Sequence, residues 1–209
     1  MRVGAAVVAA TAALCTLGTT PASAETQKVK PSISIRVDED TRCTLGFVFA
    51  DSAGLAFGLT AKHCGDKGDE VTTERGTHIG TVTLQAPGDT DVEMIAIDSP
   101  LPVYTDVDQI GKVAGIITHE DLKVTRPLLC KKGARTGLSC GPLITAEPGW
   151  FSFAAQTDHG DSGAPVYALT RQGTLLAAGI LEGSNKERPG EVVATPVAPF
   201  LEAWELRVP

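Results

Sequence analysis

Ser162 stands in the stretch Thr157-Asp158-His159-Gly160-Asp161-Ser162-Gly163-Ala164-Pro165-Val166, between two glycines, with an acid before it and an apolar run after it. Residues 165–169 read as a buried strand, and the Gly160–Gly163 turn presents the Ser162 hydroxyl at its entrance. The glycines let the backbone turn tightly, so that the amides of Gly160 and Ser162 can point into one small space. Two N–H donors converging beside a serine oxygen are what a tetrahedral oxyanion needs. Four residues alone also fit a plain Gly-rich hairpin turn. The chemical reading requires partners, because a serine hydroxyl is a poor nucleophile at neutral pH until a base takes its proton and an acid orients that base.

The chain offers four histidines, His63, His78, His119 and His159. His63 stands apart because it follows the apolar run ending Leu59-Thr60-Ala61 and precedes Cys64, where a disulfide would pin the backbone beside the imidazole. For the acid, Asp91-Val92-Glu93-Met94-Ile95 puts an aspartate at the mouth of an apolar strand, where it can be buried against a histidine; Asp89 is the alternative. Taken alone, Asp91 reads as a solvated turn residue.

These residues need rigid elements to bring them together, and the chain reads as strands. Ile33, Ile35 and Val37 alternate with Ser34 and Arg36, and apolar runs follow at 45–49, 56–60, 71–73, 78–84 and 92–97. After a connector over 101–108 come 113–117, 124–130, 139–144, 150–155, 165–169, 175–181 and 192–195. About a dozen short strands with a turn every eight to twelve residues indicate barrels rather than one sheet. Only the end reads as helix, with Val197, Phe200, Leu201 and Trp204 on one face after Pro196. The class predicted is all-β: two six-stranded antiparallel barrels and a C-terminal helix.

In the 209 residues, 43% are apolar and 21% charged, the balance of a folded globular chain, and the net charge of −7 argues against nucleic acid as a partner. Arg2, an apolar stretch over 3–17 and Ala22-Ser23-Ala24 make residues 1–24 a signal peptide. A break from Gly18 to Ser23 leaves the stretch short for a membrane span, and Leu14 is too large to precede a lipid-modified Cys15. The expected organisation is a short arm over 25–32, an N-terminal barrel over 33–112, and a C-terminal barrel with the helix over 113–209. Cys43, Cys64, Cys130 and Cys140 remain after cleavage, an even count that favours two disulfides in an exported chain. Cys43–Cys64 with Cys130–Cys140 is the economical pairing. A zinc site is the rival, and neither group has its Cys-x-x-Cys spacing.

Taken together, the motifs resemble the chymotrypsin-like serine proteases, in particular their bacterial streptogrisin/α-lytic branch. Cys43-Thr-Leu-Gly-Phe47 with Leu59-Thr-Ala-Lys-His-Cys64 resembles the first disulfide and histidine segment. Cys130-Lys-Lys-Gly-Ala-Arg-Thr-Gly-Leu-Ser-Cys-Gly141 resembles the second disulfide hairpin, Gly160-Asp-Ser-Gly163 the nucleophile motif, and Gly179-Ile-Leu-Glu-Gly-Ser184 the substrate-pairing strand. The resemblance implies a site between two barrels, with His63 as general base and acid, Asp91 as its orienter and Ser162 as nucleophile. The amides of Gly160 and Ser162 form the oxyanion hole, and no metal or organic cofactor takes part. It also implies that Lys131 neutralises Asp161 behind the hole, so that losing Lys131 damages turnover far more than folding; a solvated hairpin lysine is the alternative. Alignment to Ser162 puts Gln156 at the base of the specificity pocket, His159 at its rim, Glu182 near the triad, and Gly183 and Ser184 on one wall. The preference implied is for a small or apolar residue.

Several positions depart from the family pattern. Ala164 replaces a glycine, and Lys62 replaces a small residue and is expected to point to solvent. Glu182 replaces a serine close to the triad aspartate; unless it turns outward, it raises one of the two carboxyl pKa values or pushes His63 upward. The family's long pro-region and the disulfide that braces its specificity pocket are missing. The expected function is a secreted monomeric endopeptidase, extracellular or at the cell envelope, acting on protein or peptide substrates without stable membrane insertion. The alternative is a protease-like binding protein with little or no catalysis.

Overall fold

The computed structural model describes residues 1, 27–107, 109–170 and 172–209, so the signal segment lies, but for Met1, outside the described residues. Seven strands make the first sheet: β1 (Ser34–Val37), β2 (Thr41–Thr44), β3 (Val48–Ala50), β4 (Ala56–Thr60), β5 (Glu70–Thr73), β6 (His78–Gln85) and β7 (Glu93–Ile97). Every pairing among them is antiparallel, in the order β2-β1-β5-β6-β7-β4-β3. The alternation read from sequence is real: in β1, Ile35 and Val37 are fully buried while Ser34 and Arg36 are partly exposed. The edge strands β2 and β3 are neighbours in the chain. Between them Leu45 N–H bonds to Ile33 and Gly46 N–H to Leu59, so the sheet curls on itself as a half-barrel.

The second sheet holds β8 (Val113–Ile116), β9 (Leu128–Gly133), β10 (Gly137–Glu147), β11 (Trp150–Ala154), β12 (Pro165–Leu169), β13 (Leu175–Ser184) and β14 (Glu191–Pro196). Its order is β12-β9-β10-β11-β14-β13-β8, and β12 pairs again with β13. That extra pairing closes β9 to β14 into a six-stranded barrel, with β8 lying parallel against β13. The all-β double-barrel class is thus realised as one closed barrel and one curled half-barrel.

One helix departs from the sequence reading. Residues 124–130 look like a strand, but α1 (His119–Thr125) occupies the first part and β9 begins at Leu128. Local signals account for it: the Thr118 side chain caps the Asp121 N–H, Glu120 and Asp121 fill the first turn, Lys123 lies in the last, and Leu122 is buried. The second helix, α2 (Ala198–Ala203), falls where the terminal apolar face predicts it, with Leu201 buried and the Phe200 and Trp204 rings 5.0 Å apart.

Both sheets contribute to one core. Ile35, Phe49 and Leu59 from the first pack in the same cluster as Tyr167 and Ile180 from the second, with Val197 at the start of α2. Cys43 pairs with Cys64, and Cys130 with Cys140, which stands directly opposite it across β9 and β10. Each closes a modest loop and is worth on the order of 3 kcal/mol. Among the described residues no helix is long and apolar enough to cross a membrane.

Candidate active site

His63 lies on a short 3-10 turn, Lys62–Cys64, directly after β4. The neighbouring disulfide ties this turn to the end of β2. Asp91 lies two residues before β7 and grips the histidine twice. Its Oδ2 is 2.7 Å from His63 Nδ1, and its Oδ1 accepts the His63 backbone N–H at 2.9 Å. A ring that donates from Nδ1 presents Nε2 as its free lone pair when neutral. The hydrogen bond to Asp91 raises the His63 pKa above its ordinary value. Burial opposes the rise, and the charges of Asp91, Glu182 and Glu93 add to it.

Lys62 does not point to solvent. Its ammonium donates to the carbonyls of Ala86 at 3.0 Å and Gly88 at 2.8 Å, strapping the histidine turn to the loop that leads into Asp91. The apolar-looking start of that loop hid two acceptors within reach of a long cation. Asp89, the alternative acid, is exposed.

Ser162 opens the turn into β12. Gly163 behind it has φ +86°, and a Cβ there would stand 2.0 Å from Thr60 Oγ1, so glycine is required. The Ser162 hydroxyl donates to the Glu182 carbonyl at 3.3 Å. The amides of Asp161, Gly163 and Ala164 bond to the carbonyls of Asp158, Leu181 and Asp161. For those of Gly160 and Ser162 no acceptor is found among the described residues, which leaves two donors of the turn that carries the hydroxyl unengaged. His63, Asp91, Ser162, His159, Glu182, Gly183 and Ser184 line one cleft of about 610 Å³. On the other side of Ser162 and His63 a second hollow of about 700 Å³ opens, bordered by Arg42, Ala134 and Arg135. Gln156 is not brought to the cleft; it is exposed, its N–H bonded to Ser139 Oγ, and Thr157 and Val193 line the wall instead.

Asp161 turns inward. Its carboxylate meets Lys131 Nζ at 2.8 Å, and neither side chain has any exposed surface. The N–H groups of Arg135 and Thr136 donate to Oδ1 at 2.9 and 3.0 Å, and the Thr136 hydroxyl bonds to Oδ2. Burial pushes this carboxyl up, but Lys131 and Thr136 outweigh it and hold the group below the ordinary aspartate range. So complete a burial sets aside the solvated hairpin lysine, and a buried ion pair of this kind bears on folding as well as on the loop. Sequence reasoning missed Gly133, where a Cβ would stand 2.0 Å from Asp161 Oδ1. No strand read from the sequence covers it, so the only signal was its place in the Cys130–Cys140 hairpin.

Glu182 does not turn away. Its Oε1 accepts the Thr195 hydroxyl at 2.7 Å, and its pKa is raised, first by burial and then by Asp91, with Thr195 and His63 opposing. Sequence reasoning also passed over Glu93. It is fully buried on β7, and burial pushes it up to about 8 despite a 3.1 Å hydrogen bond from Gln85. An acid breaking the run from Val92 to Ile95 was the available signal.

No family model matches the chain. It is 30% identical over 192 residues to the uncharacterized protein Rv1815 of Mycobacterium tuberculosis (strain ATCC 25618 / H37Rv), a match covering 82% of each chain. The same values hold for the uncharacterized protein MT1863 of strain CDC 1551 / Oshkosh. Among solved structures, Thermobifida fusca protease A superposes with a TM-score of 0.71 at 23% identity, over 87% of this chain and 98% of that one. Nocardiopsis protease gives 0.67 at 23% identity, over 87% and 99%. The fold is that of the bacterial chymotrypsin-like serine proteases.

Proposed function

Given that the chain belongs to the family of the uncharacterized mycobacterial protein Rv1815 and has the fold of bacterial chymotrypsin-like serine proteases, we propose that it is a secreted serine endopeptidase. The observation that carries this reading is the His63–Asp91 pair facing the same cleft as Ser162 and two unengaged amides. In this reading the Ser162 hydroxyl leaves the Glu182 carbonyl and donates to His63 Nε2. As the oxygen attacks a peptide carbonyl, the proton passes to Nε2, and the amides of Gly160 and Ser162 donate to the developing oxyanion. Each such donor is worth roughly 10²–10³ in rate. Asp91 steadies the imidazolium. Nε2 then protonates the leaving amine, and water repeats the sequence to release the acyl group. The reading keeps a small or apolar residue beside the cut, on the strength of Thr157, Gly183, Ser184 and Val193 in a cleft that Asp158, His159, Glu182 and Lys186 also line. Two disulfides fit an oxidising, extracellular or envelope location.

A second reading, a protease-like binding protein with weak catalysis, draws on the Ser162 bond to Glu182 and on the carboxylates that favour a protonated His63. Digestion of a peptide library separates the two. The protease reading expects cleavage that rises with pH and is lost in both Ser162→Ala and His63→Ala. Intact peptides from roughly pH 6 to 10, a span that brackets imidazole titration, would leave the binding protein.

A further inference from the structure

Thr44, the last residue of β2, belongs to neither the triad nor the paired amides, yet it bonds to the strand before His63 and to the turn that carries Gly160 and Ser162. It has no exposed surface, and each of its polar groups is engaged. Its N–H donates to the Ser162 carbonyl at 2.8 Å, and its own carbonyl accepts the Thr60 hydroxyl at 3.0 Å. Its hydroxyl accepts the Ala134 N–H at 3.0 Å and donates to the Gly160 carbonyl at 2.7 Å. Because Ala134 occupies a lone pair, the hydroxyl proton is directed at Gly160, and the two bonds polarise one another.

Gly160 needs such a hold. Its φ of +97° lies where glycine moves freely, so nothing in the residue itself keeps the peptide plane fixed. The next peptide is anchored at both ends, by Thr44 at the Gly160 carbonyl and by the Asp158 carbonyl at the Asp161 N–H. With that plane fixed, the Gly160 Cα is held in place and its N–H can turn only about the residue's own φ and ψ. Ala134 adjoins Arg135 and Thr136, whose N–H groups hold the Asp161 carboxylate. One hydroxyl therefore joins the half-barrel, the β9–β10 hairpin and the loop of free amides.

We propose that Thr44 is a positioning residue: its side-chain hydroxyl, aimed by the Ala134 amide, holds the Gly160 carbonyl and so restrains the turn that carries the Gly160 N–H and Ser162. This rests on the protease reading, in which that N–H meets the oxyanion. The test compares Thr44→Val, which removes the hydroxyl at similar size, with Thr44→Ser, which keeps it. With a fluorophosphonate probe, Thr44→Val should label Ser162 about ten- to a hundredfold more slowly than wild type, a part of what losing one oxyanion donor costs. Peptide turnover should fall through kcat with KM little changed, and Thr44→Ser should restore both. In the unliganded proteins, amide hydrogen exchange at Asp161 should quicken in the valine variant and stay slow in the serine variant. The proposal is overturned if Thr44→Val labels at the wild-type rate, if serine behaves as valine does, or if exchange at Asp161 is unchanged. A wild type that does not label would remove the protease reading, while exchange at Asp161 would still decide whether Thr44 anchors the loop.

Discussion

Replacing Lys131 by methionine takes away the ammonium 2.8 Å from Asp161 while keeping most of its volume. Both side chains are completely buried, so the variant strands a carboxylate rather than exposing it to water. Breaking a buried pair from one side costs about 3–5 kcal/mol, a large share of the roughly 5–15 kcal/mol that holds a domain folded. In a chain of this size each kcal/mol moves the melting temperature by about 2–4 °C, so a fall of roughly 6–20 °C is expected. The pH dependence sharpens the test. Lys131 and Thr136 outweigh burial and hold the folded Asp161 pKa below its ordinary value. The stabilisation is therefore fully present above the unfolded aspartate pKa of about 3.9 and is lost as pH falls through the folded one. In Lys131→Met burial prevails and the carboxyl rises, so the deficit should be greatest near neutrality and shrink on acidification. Chemical denaturation of wild type, Lys131→Met, Asp161→Asn and the double variant over a pH series measures both the deficit and the coupling. A deficit below about 1 kcal/mol at neutral pH, or one independent of pH, would refute the reasoning.

Three further perturbations follow from the geometry. Glu182→Gln removes a charge that raises the His63 pKa, so the acidic limb of the kcat/KM profile should move to lower pH; a limb that stays in place would show that Glu182 does not bear on His63. Lys62→Met loses two charge-assisted bonds to the loop before Asp91 and should lower kcat by about tenfold or more, partly regained with arginine. Equal kcat in all three proteins would make the strap irrelevant to the site. His78 bridges Glu70 and Asp98 through both ring nitrogens, at 2.7 Å each, and these bonds raise its pKa. That contribution is fully present below the unfolded histidine pKa of about 6.5 and lost as pH rises through the folded value. Solvent screening limits it to about 0.5–1 kcal/mol, and denaturation midpoints of His78→Asn against wild type across that window should converge at alkaline pH.

What was legible in the sequence is what local pattern dictates. Alternation in Ile35 and Val37 put β1 in place, and the cysteine spacing agreed with the pairing seen. The motif order around His63, Asp91 and Ser162 pointed to one cleft, and the structure brings those three side chains to it. What escaped depends on separations the sequence does not display. Lys62 finds its acceptors more than twenty residues away, and Thr44 reaches Gly160 across 116 positions. Gln156 failed for the complementary reason. Counting back from Ser162 assumes a chain path the sequence does not display, and in the structure Gln156 is exposed while Thr157 lines the cleft. At α1, the capping pattern from Thr118 to Asp121 prevailed over the strand propensity of Val124.

Whether Ser162 is an activated nucleophile is read most directly from the protein's intact mass after reaction with a fluorophosphonate. A single adduct on the wild type, mapped to Ser162, lost in Ser162→Ala and strongly slowed in His63→Ala, is the predicted result. An unmodified wild type, or an adduct carried equally by the Ser162→Ala variant, would contradict it.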